Sequence, residues 1–293
     1  SSRRRHTRYI SVTGVQTCAL PISVPENRIS RGVYHFPSPV QSIIETDDEI
    51  CIRIKDTYES IETLVRSVAS NTVNSLIISG APGLGKSYTV NKILSENSRY
   101  HYTFHRGYLK ASHLFRLLWE NKEPNQTIVL DDTDSIFSDE TALNLLKAAL
   151  ELKPTRRIGW GSEKEFLDED GDAIPRYFDY EGSIIFLTNL PFRDMIASNS
   201  KNAPHLSALE SRSLVLDMKI KTKKEYLIKI KQTIESGMLS SFTKLEQNTI
   251  ISFLETNLDK FTEVSLRMVE KLAALYKANP NNWEKLARAV CFR

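Results

Sequence analysis

The chain has 293 residues, 41% of them hydrophobic and 26% charged, which allows one large domain or two modest ones around a sizeable core. No apolar run reaches the roughly 18 residues of a membrane span, and 11 glycines and 11 prolines are too few for a collagen-like or low-complexity chain. Its formal charge is +3, and Cys18, Cys51 and Cys291 lie too far apart for a disulfide framework or a CxxC metal site, so a reducing, cytoplasmic setting is expected.

Residues 2–8 and 12–22 resemble the translation of a common sequencing-adapter oligonucleotide, with residues 9–11 in the place of a variable index. Residues 1–22 are therefore set aside as non-native rather than read as a basic arm or a targeting sequence. The chain does not open on Met, so its native start is expected to differ. Setting the segment aside removes four arginines and no acid, and the charge falls from +3 to −1. The mild basicity that would point to nucleic acid goes with it.

From 23 to 55 the text reads as an irregular extension or linker, with Pro25, Pro37, Pro39 and a short apolar alternation at 50–54. Asp56 is expected to cap a helix that turns Ile61, Leu64, Val65 and Val68 inward. Next, 75–79 is a continuous apolar run ending at Gly80, the pattern of a strand buried on both faces of a parallel sheet. Similar runs recur at 100–104, 127–130, 183–188 and 213–217, with helical patterns at 88–94, 114–120 and 141–152. This alternation predicts an α/β domain over 56–220, a five-stranded parallel sheet flanked by helices. Helical segments at 222–236, 244–256, 262–278 and 282–290 predict a small all-helical domain over 221–293.

Gly80-Ala81-Pro82-Gly83-Leu84-Gly85-Lys86-Ser87 fits GxxxxGK[ST] without a mismatch. It follows a buried strand and precedes the helix that Tyr88 helps to open, the context that the mechanism requires. Glycines let backbone N–H groups wrap phosphates, and the helix N-terminus adds a favourable dipole. Lys86 is expected to reach the β- and γ-phosphates and Ser87 to ligate Mg²⁺. Ile128-Val129-Leu130 then leads into two acids. Asp131, at the strand's C-terminal edge, can hold hydrated Mg²⁺, and Asp132 can polarise an attacking water. Asp134 reads as a turn residue. Asn189 ends another buried strand and can orient the water. ATP and Mg²⁺ are the expected cofactors.

The ordered set resembles the AAA+ ATPases, with Walker A at 80–87, Walker B at 127–132 and sensor 1 at Asn189. Residues 206–212 are similar to the segment that carries that family's arginine finger, which implies Arg212 as a finger supplied to a neighbouring subunit, with Arg193 as the alternative. Ser265-Leu266-Arg267 is similar to sensor 2 on the family's lid and implies that Arg267 contacts nucleotide. The resemblance covers about 56–290. Residues 131–135 running into 144–150, with 157–160 after them, resemble small AAA+ proteins of bacteriophages. The family usually has Glu where this chain has Asp132, which is one methylene shorter and implies slower turnover.

The resemblance implies ATP hydrolysis to ADP and phosphate by a homo-oligomeric ring without a membrane, remodelling a protein or nucleoprotein client. The alternatives are a DNA-handling ATPase resembling superfamily-three helicases or clamp loaders, and a nucleotide switch that barely hydrolyses. Residues 105–110 stand where the family's pore-facing loop lies; there Tyr108 either grips a polymer or, with Leu109, covers the core beside Leu114 and Phe115. The acid-rich stretch 160–180 reads as a solvated loop without Ca²⁺-ligand spacing. Lys219, Lys221, Lys223, Lys224, Lys229 and Lys231 read as a solvated helix face. His35, His101, His105, His113 and His205 have no metal spacing.

Overall fold

The computed structural model describes residues 45–161, 165–168, 170–198 and 201–293. The adapter-like segment 1–22, residues 23–44 of the expected linker, and with them Cys18 and His35, lie outside the described residues. Helix α1 (Asp47–Ala69) begins where its first-turn chemistry is satisfied. Thr46 Oγ1 accepts from the Glu49 N–H at 3.3 Å, and the Glu49 carboxylate accepts from the Thr46 N–H at 2.8 Å. Asp47, Asp48 and Glu49 place negative charge at the positive end of the helix. The sequence reading put this start at Asp56. The apolar residues at 50–54 are in fact the first helical turns, and Ile50 and Ile54, one turn apart, are both buried.

β1 (Ser75–Ser79) leads through a glycine-rich turn into α2 (Lys86–Ser95), followed by β2 (His101–Arg106), α3 (Ala111–Glu120) and β3 (Gln126–Asp131). A short 3₁₀ turn (Asp134–Ser138) and α4 (Glu140–Ala149) come next. Within the stretch read as a solvated acidic loop, Asp170 and Asp172 are exposed as expected, and the described residues also include short strands. β4 (Arg156–Gly159) pairs antiparallel with β7 (Tyr177–Tyr180), and β5 (Phe166–Leu167) pairs with β6 (Ala173–Ile174). Ile158, Ile174, Phe178 and Tyr180 are buried in the core that holds Phe115 of α3. This period-two burial overrides the local acidity. The acids instead build the turn between β5 and β6, where Asp168 Oδ1 accepts from the N–H groups of Asp170 and Asp172.

β8 (Ser183–Thr188), α5 (Phe192–Ala197), α6 (Ala203–Glu210) and β9 (Leu214–Asp217) complete the main sheet. Its five strands are all parallel, in the order β2-β3-β8-β1-β9. Every residue of β1 and β8 is buried, as strands covered on both faces must be. β8 enters between β3 and β1, and the C-terminal ends of these three strands therefore lie side by side. That is the point in an open α/β sheet where a crevice forms.

Four helices follow, α7 (Lys223–Glu235), α8 (Lys244–Thr256), α9 (Leu266–Ala278) and α10 (Trp283–Cys291). They close over Ile230, Ile250, Phe253, Val269, Leu272 and Trp283. The α/β fold with its helical C-terminal region is as expected. The lysine cluster differs from the expectation at two of its six members, Lys223 and Lys229, while Lys219, Lys221 and Lys224 are exposed as expected. Lys223 Nζ donates to the carbonyls of Leu258, Asp259 and Phe261 at 3.0–3.1 Å. Lys229 sits over the Tyr58 ring, 3.1 Å from its centroid, and burial pushes its ammonium down to about 8. Lys224 and Lys231 pair with Asp47 and Glu255.

A second tie joins α7 to α1. Arg53 bridges Glu45 (2.7 Å) and Glu225 (2.5 Å). Burial opposes ionisation of Glu225, but the N–H groups of Thr222 and Lys221 and the Arg53 guanidinium outweigh it and hold the carboxyl at about 2. A depressed carboxyl stabilises the fold above its unfolded value and loses that contribution as pH falls toward its folded one. Glu225→Gln is therefore expected to lower stability at pH 7 by about 2 kcal/mol. It should also flatten the loss of stability between roughly pH 5 and pH 2 that thermal unfolding of the unaltered chain records.

Candidate nucleotide-binding site

The turn after β1 owes its shape to two glycines in left-handed conformations, Gly83 (φ 75°) and Gly85 (φ 80°). At Gly83 a second constraint applies, since an added Cβ would stand 2.5 Å from the Ser265 Cβ. Gly85 is the N-cap of α2, and no side chain caps that end. The first-turn N–H groups and the positive end of the helix thus favour an anion at this point.

Lys86, only 7% exposed, extends back under the turn. Its Nζ donates to the carbonyls of Gly80 (2.6 Å) and Ala81 (3.0 Å) and to Asn189 Oδ1 (2.7 Å). Burial pushes this ammonium down to about 8, against the opposing pull of Asp132 and Asp131. Asn189 Nδ2 in turn donates to Asp132 Oδ1 at 2.6 Å. One amide therefore links the lysine of the turn to Asp132, just beyond the end of β3. Asp132 adopts φ 52°, a left-handed conformation that Asp tolerates better than most residues, and its N–H donates to the Leu187 carbonyl at 3.1 Å.

Ser87 Oγ donates to Asp131 Oδ1 at 2.8 Å, and Arg106 Nε donates to Asp131 Oδ2 at the same distance. A hydroxyl and a buried carboxylate side by side are hard oxygen donors that suit Mg²⁺, which takes its other ligands from water and phosphate. Asp134, read as a turn residue, begins the 3₁₀ turn and also accepts from Thr188 Oγ1 at 2.6 Å, pinning β8 to β3. Burial raises its carboxyl, against the lowering effect of that hydroxyl.

A cavity of about 390 Å³ opens over the turn. Gly83, Leu84, Gly85, Lys86, Ser87, Tyr88, Asp132 and Asn189 line it from the sheet side, and Arg267 lines it from α9. Gly80, Ala81 and Pro82 form the back of the turn. Three clamps that the sequence reading missed hold the turn in place. Tyr58 OH donates to the Leu84 carbonyl (2.5 Å), Tyr226 OH to Pro82 (3.4 Å) and the Leu266 N–H to Gly83 (3.0 Å). Lys92, Glu270 and the 233–238 segment also line the cavity, and no local motif marks them. Arg212 stands apart. It ends the segment after α6, donating to the Ala208 carbonyl at 2.7 Å, and is not among the cavity residues, while Arg193 pairs with Glu210 at 3.3 Å.

No family model matches the chain. An uncharacterized 36.7 kDa protein from the nrdC–mobD intergenic region of Enterobacteria phage T4 is 32% identical over 270 residues, spanning 88% of this chain and 82% of the phage protein. The chain belongs to the family of that phage protein. Among solved structures, the family member is similar to a DNA replication initiation factor (TM-score 0.46, 15% identity, 87% of this chain and 68% of the other). It is also similar to the RuvB Holliday junction branch migration motor of Thermotoga maritima (0.42, 15%, 86% and 71%). A third is NtrX from Brucella abortus in complex with ATP (0.44, 16%, 78% and 49%). Likeness at this level extends to the broad layout alone.

Two substitutions separate binding from chemistry at this site. Lys86→Ala is expected to weaken ATP binding at least about 100-fold, because it removes the charge buried under the turn. If the site hydrolyses ATP, Asn189→Ala should leave the Kd within a few-fold and lower turnover by roughly 10²-fold, as for loss of one positioned polar group. Isothermal titration and steady-state phosphate release check the two.

Proposed function

We propose that the chain is a Mg²⁺-dependent ATPase of the AAA+ type, working as a homo-oligomer that remodels a protein or nucleoprotein partner. The observation that carries this reading is the hydrogen-bonded chain Lys86–Asn189–Asp132, which joins the head of α2 to the ends of β8 and β3 beside the glycine-rich turn. Bound Mg-ATP would supply the transferable phosphoryl group and the charge that neutralises it. The turn N–H groups and Lys86 hold phosphate oxygens, while Ser87 and Asp131 hold the metal. Asp132 accepts the proton of the attacking water, and Asn189 orients that water. Arg267 adds positive charge from α9. Arg212, outside the cavity of its own chain, is the finger for the next subunit.

Asp132 Oδ1 is already engaged by Asn189 at 2.6 Å, which leaves Oδ2 to meet the water. Its side chain is one methylene shorter than Glu, which supports slow turnover. The switch that barely hydrolyses is the limit of the same behaviour. The DNA-handling alternative gains little from the lysines of α7, since Lys223 and Lys229 are held within the fold and Lys224 and Lys231 are paired with acids on the surface.

ATP turnover measured against protein concentration tests the proposal. Specific activity is expected to rise with concentration, and Arg212→Ala to lower kcat by roughly 10³-fold, the usual worth of such a finger. Mixing Arg212→Ala chains with Asp132→Asn chains should restore part of the activity, because each supplies what the other lacks. Flat activity and no rescue on mixing would show that each site works within one chain.

A further inference from the structure

The main sheet ends at β9, which has β1 on one side and no strand on the other among the described residues. Just past the strand, the Met218 N–H donates to the Ser79 carbonyl at 2.9 Å. Backbone groups alternate sides along a strand, so those of Leu214 and Leu216 also turn to β1, and those of Val215 and Asp217 turn outward. The outer row is an open pairing edge. Leu214–Asp217 contains neither lysine nor proline, the residues with which natural edges turn away a passing strand.

Helix α1 forms a wall beside this edge. Glu49, Ile52, Arg53, Asp56, Thr57 and Ser60 recur at three- and four-residue spacing along one stripe of the helix. With Leu216 and Asp217 they enclose a groove of about 450 Å³. Ile52 is 60% exposed in the groove, and Leu214 is 44% exposed on the strand.

Charge decides what fits there. Arg53 is the one cation among the lining residues, and it is already bridged to Glu45 and Glu225. The Glu49 carboxylate accepts from Thr46 alone, and Asp217 Oδ1 accepts from the Lys219 N–H. The Asp56 side chain is exposed and bonds to none of the described residues. These carboxylates therefore border an apolar groove with no cation set against them.

We propose that the groove between α1 and β9 docks an extended, lysine- or arginine-bearing segment of a partner protein, which adds to β9 as a further strand. Its backbone pairs with Val215 and Asp217, the mode of recognition open to any free sheet edge. On α1, Ile52 stands between Glu49 and Asp56. A basic side chain turned toward the helix covers Ile52 with its alkyl stem and carries its charge to the carboxylates. The same carboxylates repel a phosphate backbone, which separates this partner from nucleic acid. No residue of the groove lines the nucleotide cavity, so the inference stands or falls apart from the nucleotide reading.

The test uses the full chain and a fluorescein-labelled peptide of alternating lysine and valine, roughly ten residues long, the upper length of a usual strand. Fluorescence anisotropy follows binding, and amide hydrogen exchange follows β9. The peptide is expected to bind and to slow exchange at Val215 and Asp217 at least about fivefold. Asp56→Lys, a change at an exposed side chain without partners, should weaken binding roughly tenfold while leaving thermal unfolding unaltered. A peptide of the same charge methylated at every backbone nitrogen should not bind. Equal binding of the methylated peptide shows attraction by charge alone and overturns strand addition. Binding that is indifferent to Asp56→Lys, or β9 amides that are indifferent to the peptide, overturns the site. If those amides are instead protected by self-association that rises with protein concentration and that Asp56→Lys abolishes, the occupant is a second copy and the partner proposed here is overturned.

Discussion

Lys86 lies almost out of reach of water at the head of α2, and an ammonium group in that position must find acceptors or give up its proton. It finds the carbonyls of Gly80 and Ala81, two residues of its own turn, and the amide oxygen of Asn189. Satisfying the third partner fixes the end of β8 beside the end of β1. Asn189 then has its amide nitrogen left to donate, and Asp132 takes it. A single buried charge thus aligns groups that follow β1, β8 and β3, and the same groups are those to which the proposed function gives the phosphate and the water.

The helical part of the chain is tied to this arrangement by direct contacts. α9 begins at a buried Ser265 cap, and the next N–H bonds to Gly83, so the start of that helix and the shape of the phosphate turn are one problem. α1 contributes from the other side. Tyr58 reaches the Leu84 carbonyl while its ring carries Lys229 of α7. Arg53 on the same helix anchors the cap of α7 through Glu225. Long polar side chains that look like a solvated surface in the sequence are here the fasteners between α1, the turn and the helices that follow. Their alkyl stems and charged ends both find work in such a place.

Much of the fold was legible because its signals are local. The strands 75–79 and 183–188 are short apolar runs with polar ends, and the observed limits of β1 and β8 coincide with them. The start of α1 was missed because 50–54 alternates like a strand over five residues, although Ile50 and Ile54 are also one helical turn apart and Thr46 with Glu49 spells a capping box. At 160–180 acid content was read as exposure. Glu165, Asp170, Asp172 and Asp179 are indeed exposed, but the strands between them bury Ile174, Phe178 and Tyr180, and Asp168 forms the turn between β5 and β6.

By itself, the sequence determined the glycine-rich turn between β1 and α2, because glycine spacing, a lysine and a hydroxyl at fixed offsets act through the backbone of one short segment. It also determined the acidic strand end and the parallel α/β class, both consequences of local patterning. Only the tertiary structure decided that Arg106 would stand on Asp131, that Tyr58, Tyr226 and Leu266 would clamp the turn, and that Arg212 would lie away from the cavity. These pairings join residues from 25 to 183 positions apart in the chain. They follow from strand order, register and helix placement, which depend on the packing of the whole core rather than on any one stretch of sequence.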